Sequence, residues 1–365
     1  MGFNCGIVGL PNVGKSTLFN ALTQTQSAQA ANYPFCTIEP NTGKVGVPDP
    51  RLKDIANLAK SEKTIATQLE IIDIAGLVKG AAQGEGLGNQ FLGHIRETDA
   101  ILQVLRCFDD ENIKHVEDSI DPVRDAEIIN TELMLADLES LEKQVKSLGK
   151  KVAVKDKDAM ILMDTLQPCL EALQNGQPIR TVDLSAEQRA ILKHQALITA
   201  KPLLYVCNVG EDEVVNGNAA SAAVEAMAEK EGAGVIPISA AIEEEIAQME
   251  PADQTAFLDD LGLSQAGLDR LIHAGYNLLN LTTFFTAGPK ETRAWTIRAG
   301  ATAPNAAGVI HTDFERGFIR AETISFADYM AYGGEQGAKE AGKQRIEGKE
   351  YLVQDGDIFH FRFNV

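Results

Sequence analysis

Long apolar segments are missing from this sequence. No apolar run approaches the roughly 20 residues that a membrane-spanning helix requires, so we expect no such helix and no membrane partner. Cysteine is scarce as well: the five cysteines are scattered over 365 residues, and no C-x-x-C pair occurs. This pattern excludes a disulfide-rich scaffold and indicates buried, reduced thiols. Because the chain leads almost at once into a glycine-rich motif, we expect no signal peptide and a cytoplasmic location.

Positive charge is also in short supply. The 33 lysines and arginines face 52 acidic residues, which gives a net charge of −19 and argues against a generally adhesive nucleic-acid binder. The deficit is uneven, because residues 280–365 carry a net charge of only −1. The C-terminal segment is therefore much less repulsive to phosphate than the rest of the chain.

One glycine motif near the N-terminus carries the strongest functional signal. Residues 9–16 read G-L-P-N-V-G-K-S, the G-x-x-x-x-G-K-S pattern of a phosphate-binding loop, between an apolar run and a helical segment. In such a loop the backbone N–H groups surround a polyphosphate, and we expect Lys15 to contact its β- and γ-phosphates. The Ser16 hydroxyl is a hard oxygen ligand suited to Mg²⁺.

Two further motifs fit the same nucleotide site. The apolar run 69–74 ends in Asp73-x-x-Gly76, so we expect Asp73 to hold Mg²⁺ and the Gly76 N–H to reach a γ-phosphate. Between the motifs, Thr37 is the best candidate for a second hydroxyl ligand of Mg²⁺. The glycine-rich residues 80–88 suit a switch segment.

Apolar runs predict an α/β fold with a parallel sheet covered by helices. The five predicted strands are Phe3–Val8, Leu69–Ile74, Ala100–Phe108, Pro202–Asn208 and Gly234–Ser239. The 93 residues between the third and fourth runs contain two series of apolar positions spaced three and four apart, which predict a helical hairpin. Its lysine-rich break, residues 149–157, is either a solvated tip or a phosphate-contacting tip.

Changes in composition predict three domains. Residues 1–124 and 200–279 would form the nucleotide-binding domain, 125–199 a helical insertion, and 280–365 a small α+β module. Within the last, the glycine- and lysine-rich residues 333–349 form either a solvated loop or a surface that lies along a phosphate backbone.

Three motifs together resemble those of the Obg-like ATPase (YchF) subfamily of Obg-related P-loop proteins. They are G-L-P-N-V-G-K-S-T, Y-P-F-C-T-I-E-P-N and D-I-A-G-L-V-K-G-A. The resemblance covers nearly the full length, and it implies a P-loop mononucleotide-binding domain with a coiled-coil insertion and a C-terminal ubiquitin-like β-grasp (TGS) domain. It also implies an ATP-hydrolysing switch, a K⁺ ligand at Asn12, and ribosome and RNA as partners through the TGS-like domain and the hairpin.

The base-reading motif departs from that of GTPases. Where they carry N-K-x-D, residues 208–211 read Asn-Val-Gly-Glu. The residues alone leave the base open, because Asn208 can pair with adenine and Glu211 is an acceptor that can pair with guanine. The resemblance implies a preference for ATP over GTP, with Asn208 and the Val209 backbone at the adenine. The other residues expected at the nucleotide are Asn12, Val13, Gly14, Thr17, Phe108, Ser239 and Ala240. Phe108 either packs on the base or belongs to the core.

The hydrolytic group has more than one candidate in the sequence. Ras-like enzymes orient the attacking water with a glutamine after D-x-x-G, but this chain has Leu77 there. Intrinsic hydrolysis should then be slow, or another group must assist. His115 either positions that water or is a solvated loop histidine, and K⁺ at Asn12 can supply charge. The alternatives are a GTPase in which Glu211 reads guanine, and an RNA- or ribosome-binding adaptor with a structural nucleotide.

Overall fold

The computed structural model describes residues 3–30, 42–74, 87–110, 113 and 119–364. The strands in these residues are β1 (Asn4–Val8), β2 (Thr42–Gly46), β3 (Lys63–Ile65), β4 (Gln68–Asp73), β5 (Ala100–Arg106), β6 (Leu203–Asn208), β7 (Gly234–Ile238), β8 (Leu281–Thr286), β9 (Glu291–Arg298), β10 (Phe318–Ser325), β11 (Arg345–Glu347) and β12 (Asp357–Phe363). The helices up to β7 are α1 (Lys15–Ala30), α2 (Pro50–Ala59), α3 (Leu87–Glu97), α4 (Pro122–Ala153), α5 (Lys157–Gln174), α6 (Ala186–Leu192) and α7 (Ala219–Glu231). After β7 follow α8 (Ala240–Gln248), α9 (Pro251–Asp260), α10 (Gly267–Leu278), α11 (Ala303–Ile310), α12 (Thr312–Arg316), α13 (Phe326–Ala331) and α14 (Glu335–Glu340).

The first sheet has the strand order β2-β4-β1-β5-β6-β7. Strands β4, β1, β5, β6 and β7 pair in parallel, which confirms the predicted α/β class. Every residue of β5 and β6 is buried, as continuous apolar runs require when helices cover both faces of a sheet. Strand β5 ends at Arg106, two residues earlier than predicted, because the chain leaves the sheet there.

The chain divides into two compact units. The larger contains Asn4–Gly43 and Glu70–Gly275, and the smaller contains Met1–Phe3, Lys44–Leu69 and Tyr276–Val365. The sequence-based division placed residues 44–69 in the nucleotide-binding domain, whereas here they group with the C-terminal residues. Strand β3 pairs with β9, and Leu52 and Ile55 of α2 pack against the core of the C-terminal sheet. Contacts across more than 200 residues leave no local pattern in the sequence, which explains the difference.

Helices α4 and α5 cover the region predicted to form a hairpin. Asp121 caps α4 by accepting from the Arg124 N–H, and Asp156 caps α5 by accepting from the Ala159 N–H. Only Val154, Lys155 and Asp156 separate the two helices. The apolar positions that predicted the hairpin all belong to one core cluster: Met134, Leu138, Leu141, Val145, Leu148, Leu162, Leu166, Cys169 and Leu173. None of the helices in the described residues is long and apolar enough to cross a membrane.

The sheet of the smaller unit has the order β11-β10-β12-β8-β9-β3. Its pairs are antiparallel except for β12 with β8 and β3 with β9, which are parallel. One face packs against α11, where Ala303, Ala306 and Ala307 meet a cluster of aromatic rings that includes Phe284 and Phe359. The small alanine side chains let the helix approach the rings closely, and this packing forms one of the core clusters of the unit.

Candidate nucleotide-binding site

The phosphate loop lies between β1 and α1, and its backbone explains its glycines. Asn12 has φ +63° and Gly14 has φ +97°, both in the left-handed region. A Cβ atom at Gly14 would overlap the Asn208 side chain, and one at Gly9 would lie 2.6 Å from the Val104 carbonyl oxygen. Both glycines are therefore required by close approach of neighbouring groups. Leu18 N–H bonds to the Gly14 carbonyl at 3.0 Å, which begins the regular hydrogen bonding of α1.

Lys15 is held inside this loop. Its side chain is buried, and Nζ donates a hydrogen bond of 2.7 Å to the Leu10 carbonyl oxygen. Burial lowers the pKa of the ammonium group, while the nearby Asp73 carboxylate acts in the opposite direction. An ammonium group has three N–H donors, so the contact with Leu10 leaves donors for an anion.

Asp73 ends β4 at the register position opposite Ile7 of β1, immediately before the phosphate loop. Its Oδ1 atom is buried and has no hydrogen-bond partner among the described residues. Burial raises the pKa of this carboxyl group, and the Lys15 charge opposes that rise. A buried carboxylate oxygen without a partner is unfavourable unless a ligand completes it.

The residues present fit a Mg²⁺ ion. Ser16 lies exposed in the first turn of α1, and Asp73 supplies an oxygen that has no hydrogen-bond partner among the described residues. Hydroxyl and carboxylate oxygens are the ligands that Mg²⁺ prefers, and substrate phosphates and waters usually complete its shell. The donor set is thus suited to a metal-bound polyphosphate.

Asn208 joins three parts of the site. It is buried at the end of β6, where Nδ2 donates to the Val13 carbonyl at 3.0 Å and Oδ1 accepts from the Ala240 N–H at 3.0 Å. These two bonds bring together the phosphate loop, the end of β6 and the first residue of α8, which follows the buried Ser239. One amide hydrogen and one acceptor position of Asn208 remain after these contacts.

The loop after β6 is fixed by residues that the sequence analysis did not identify. Glu213 Oε2 accepts from the Gly210 N–H at 3.0 Å and from Asn218 Nδ2 at 2.8 Å. Asn218 also donates to the Cys107 carbonyl at 2.7 Å. Val209 is buried, and its N–H bonds to the Ile238 carbonyl at 2.9 Å, so the donor of the Val209 backbone, which was predicted to contact adenine, is already used. Glu211 is exposed in a short 3₁₀ turn, residues 211–213.

Phe108 lies two residues beyond β5 and is partly buried. The guanidinium of Arg106 covers its ring at 4.6 Å from the centroid. Arg106 is itself buried and was missed by the sequence analysis, because an arginine at the end of an apolar strand matches no nucleotide motif. Thr17 is partly buried in the first turn of α1, and Asn12 is exposed. Three predicted residues, Thr37, Gly76 and His115, lie outside the described residues, as does Leu77.

Comparison with known proteins identifies the family. A family model described as a 50S ribosome-binding GTPase matches residues 4–162, and the C-terminal YchF-GTPase model, described as a protein of unknown function, matches residues 281–364. The chain is 56% identical to the ribosome-binding ATPase YchF of Escherichia coli O157:H7 and 54% identical to that of Bacillus subtilis, with full coverage of all chains. It also matches the solved Schizosaccharomyces pombe YchF GTPase at 39% identity and a TM-score of 0.88, covering 99% of this chain and 98% of that one. The resemblance seen in the three motifs therefore extends over the whole chain, and the chain belongs to the YchF family of P-loop proteins.

Proposed function

We propose that this protein hydrolyses ATP to ADP and phosphate and acts as a nucleotide-dependent switch on the ribosome. Asp73 at the end of β4 carries this proposal: its buried Oδ1 has no hydrogen-bond partner among the described residues, and the group lies near Lys15 of the phosphate loop. A buried carboxylate oxygen without a partner is unfavourable in the free protein, and a metal ion bound with the nucleotide would supply the missing partner. The curated relatives named above are called ribosome-binding ATPases, which agrees with this reading.

The chain's own residues account for binding of the triphosphate. The loop N–H groups and the N-terminus of α1 attract the phosphates, and Lys15 places a positive charge beside the β- and γ-phosphates. Ser16 and Asp73 would hold Mg²⁺, which when bound neutralises the charge that develops on the phosphate oxygens. Asn12, exposed and in a left-handed conformation, is the residue we assign to K⁺.

The remaining catalytic assignments rest on the motifs alone. We assign Thr37 as a second Mg²⁺ ligand and Gly76 as the γ-phosphate sensor, and His115 as the group that positions the water. Loss of ATP turnover without loss of ATP binding in His115→Ala would support its role. Turnover equal to that of the wild type would contradict it.

Base selectivity depends on Asn208 and the residues around it. The names of the relatives differ, since the bacterial proteins are called ATPases and the solved yeast protein a GTPase. We assign the remaining amide hydrogen of Asn208 to a ring nitrogen of adenine, since asparagine pairs with adenine edges in this way. Phe108 is partly buried and follows β5, the strand next to that of Asn208, and it would pack on the adenine ring. Ser239 would line the same side of the base. Because Glu211 is exposed, water competes for its carboxylate, which does not favour selection of guanine by this residue.

Competition binding of ATP and GTP against a fluorescent nucleotide, with Mg²⁺ and K⁺ present, tests the proposal directly. Tighter binding of ATP by tenfold or more, about 1.4 kcal/mol, supports an ATPase. Tighter binding of GTP by the same margin supports the second candidate, a GTPase in which Glu211 reads guanine. Lys15→Ala is the matched control, because it should weaken both nucleotides equally.

Ribosome binding would use two surfaces. The tip between α4 and α5 carries exposed lysines at positions 150, 151, 155 and 157 in a chain of strong negative charge. In the smaller unit, the β8–β9 hairpin, helix α11 and the parallel pairing of β12 with β8 are the arrangement expected of a β-grasp (TGS-like) domain. We propose that both surfaces contact ribosomal RNA, with the helical hairpin as an insertion in the nucleotide-binding domain.

A further inference from the structure

Arg106 is a buried cation that no nucleotide motif accounts for. It is the last residue of β5, a strand that otherwise contains only uncharged side chains, and it is 1% exposed. A charged side chain in this position is costly to desolvate, so an apolar residue would be the simpler choice for stability alone. Its contacts indicate what the charge provides.

The guanidinium binds a single loop. Nε donates to the Phe108 carbonyl at 3.2 Å, Nη2 to the Asp110 carbonyl at 3.2 Å, and Nη1 to the Ile113 carbonyl at 2.8 Å. The Cζ atom of the same group lies over the Phe108 ring, 4.6 Å from its centroid. Because the guanidinium donors are held in one rigid plane, they fix the three peptide groups relative to one another and to the ring.

The loop begins at the base side of the nucleotide site. Arg106 is the register partner of Asn208, and the Cys107 N–H bonds to the Asn208 carbonyl at 2.8 Å. Asn208 in turn binds Val13 of the phosphate loop and Ala240 of α8. In parallel α/β sheets, ligands bind at the carboxyl ends of the strands, where Arg106 and Asn208 both lie.

We propose that Arg106 is a positioning residue that holds the Phe108 ring against the nucleotide base, and that it determines affinity for the base rather than for the phosphates. This inference rests on the proposed nucleotide-binding function and adds a residue that acts through another. The nucleotide site then has two parts that bind different portions of the ligand. Lys15 and Asp73 serve the polyphosphate, and Arg106 through Phe108 serves the base.

The test compares ligands with and without a base. Arg106→Lys keeps the charge but loses the planar set of donors. We expect at least a fivefold rise in the dissociation constant and the KM for ATP. Binding of inorganic tripolyphosphate and kcat should both stay within twofold of the wild type. Arg180→Lys is the matched control, since Arg180 is also a largely buried arginine of the larger unit, paired with Glu231 at 2.6 Å. A general loss of stability would weaken tripolyphosphate binding as well, and that outcome would overturn the proposal.

A second variant keeps the proposal testable if Arg106→Lys folds poorly. Phe108→Leu leaves the three carbonyl acceptors in place, and it should reproduce the selective loss of ATP affinity. In the double variant the two effects should not add, because Arg106 acts through the Phe108 ring. Unchanged ATP binding in Phe108→Leu, or fully additive effects, would overturn the proposal. Failure of the wild type to bind ATP at all would instead overturn the proposed function.

Discussion

The Asn208 amide donates a hydrogen bond of 3.0 Å to the Val13 carbonyl and accepts one of 3.0 Å from the Ala240 N–H. One buried side chain thereby joins the phosphate loop to two segments that follow it by about 200 residues. The phosphate loop is held in shape from the base side of the site. Substitutions at the base side of the site therefore test whether binding of the phosphates also changes.

The substitution Asn208→Asp should weaken the binding of every nucleotide. The substitution keeps an acceptor for Ala240 but places a second carboxylate oxygen against the Val13 carbonyl. We expect the free energy of unfolding to fall by about 2–3 kcal/mol, because a buried donor is lost and two acceptors are left facing each other. ATP and tripolyphosphate should both bind at least tenfold more weakly, measured by competition binding alongside urea unfolding. The control is Asn175→Asp, at an exposed helix end, which should leave both ligands unaffected. Normal tripolyphosphate binding by Asn208→Asp would contradict the role of this contact.

Asp73→Asn should separate stability from function. Burial raises the pKa of Asp73 in the folded protein above its ordinary value of 3.8, so folding favours the protonated form. The stability that this group contributes is present below about pH 3.8 and is lost as the pH rises through the raised folded pKa. Without nucleotide, the wild type should therefore lose stability relative to Asp73→Asn between pH 3.5 and pH 7. The measurement is urea unfolding of both proteins over this range.

At pH 7 the same variant should bind Mg²⁺-dependent nucleotide at least tenfold more weakly, because an amide is a poorer Mg²⁺ ligand than a carboxylate. Titration with ATP in the presence and absence of Mg²⁺ checks this. A variant that is less stable than the wild type at pH 7 would show that Asp73 is stabilised by contacts in the free protein.

The substitution Asp137→Asn should destabilise the larger unit without changing nucleotide binding directly. The buried Asp137 of α4 accepts from the Ile198 N–H at 2.9 Å and from the Thr199 N–H and hydroxyl at 2.7 Å each. Since an amide turns one of these acceptors into a donor, we expect a loss of about 1.5–3 kcal/mol in the free energy of unfolding. On the same helix, Glu139→Gln breaks only an exposed pair with Lys143 and should change stability little. Equal stability of the two variants would refute this account of the Asp137 contacts.

Neutralising the hairpin tip should reduce ribosome binding in a salt-dependent way. The variant replaces four exposed lysines with glutamine: Lys150, Lys151, Lys155 and Lys157. If each contacts a phosphate, the slope of log affinity against log salt should fall by about 1 per lysine. Cosedimentation with ribosomes at several salt concentrations gives this slope. The matched control replaces two exposed lysines of the larger unit that lie away from the tip, Lys193 and Lys230, and the changes in slope are compared per lysine. An equal loss in both variants would indicate a general charge effect, and no loss in the tip variant would remove the tip from the interface.

Local patterns predicted much of the site and of its fold. Buried parallel strands show as continuous apolar runs, and the five runs coincide with β1, β4, β5, β6 and β7. The phosphate loop was predictable from the spacing of its glycines. Neighbouring groups approach Gly9 and Gly14 so closely that neither position has room for a side chain. The helical positions of α4 and α5 were predictable because a repeat of three and four residues places them on one face.

Other features had no local signal. Arg106, Glu213 and Asn218 act through contacts with residues that lie on other segments or in irregular loops, where periodicity carries no information. The grouping of residues 44–69 with the C-terminal sheet depends on the pairing of β3 with β9, more than 200 residues away. The α/β class, the phosphate loop and the family therefore followed from patterns in the sequence. The folded chain was needed to show that Asn208 joins three segments, that a buried Asp73 oxygen has no hydrogen-bond partner among the described residues, and that Arg106 contacts Phe108. Each of these depends on distances between groups that are far apart in the chain, and such distances are set by packing rather than by local preference.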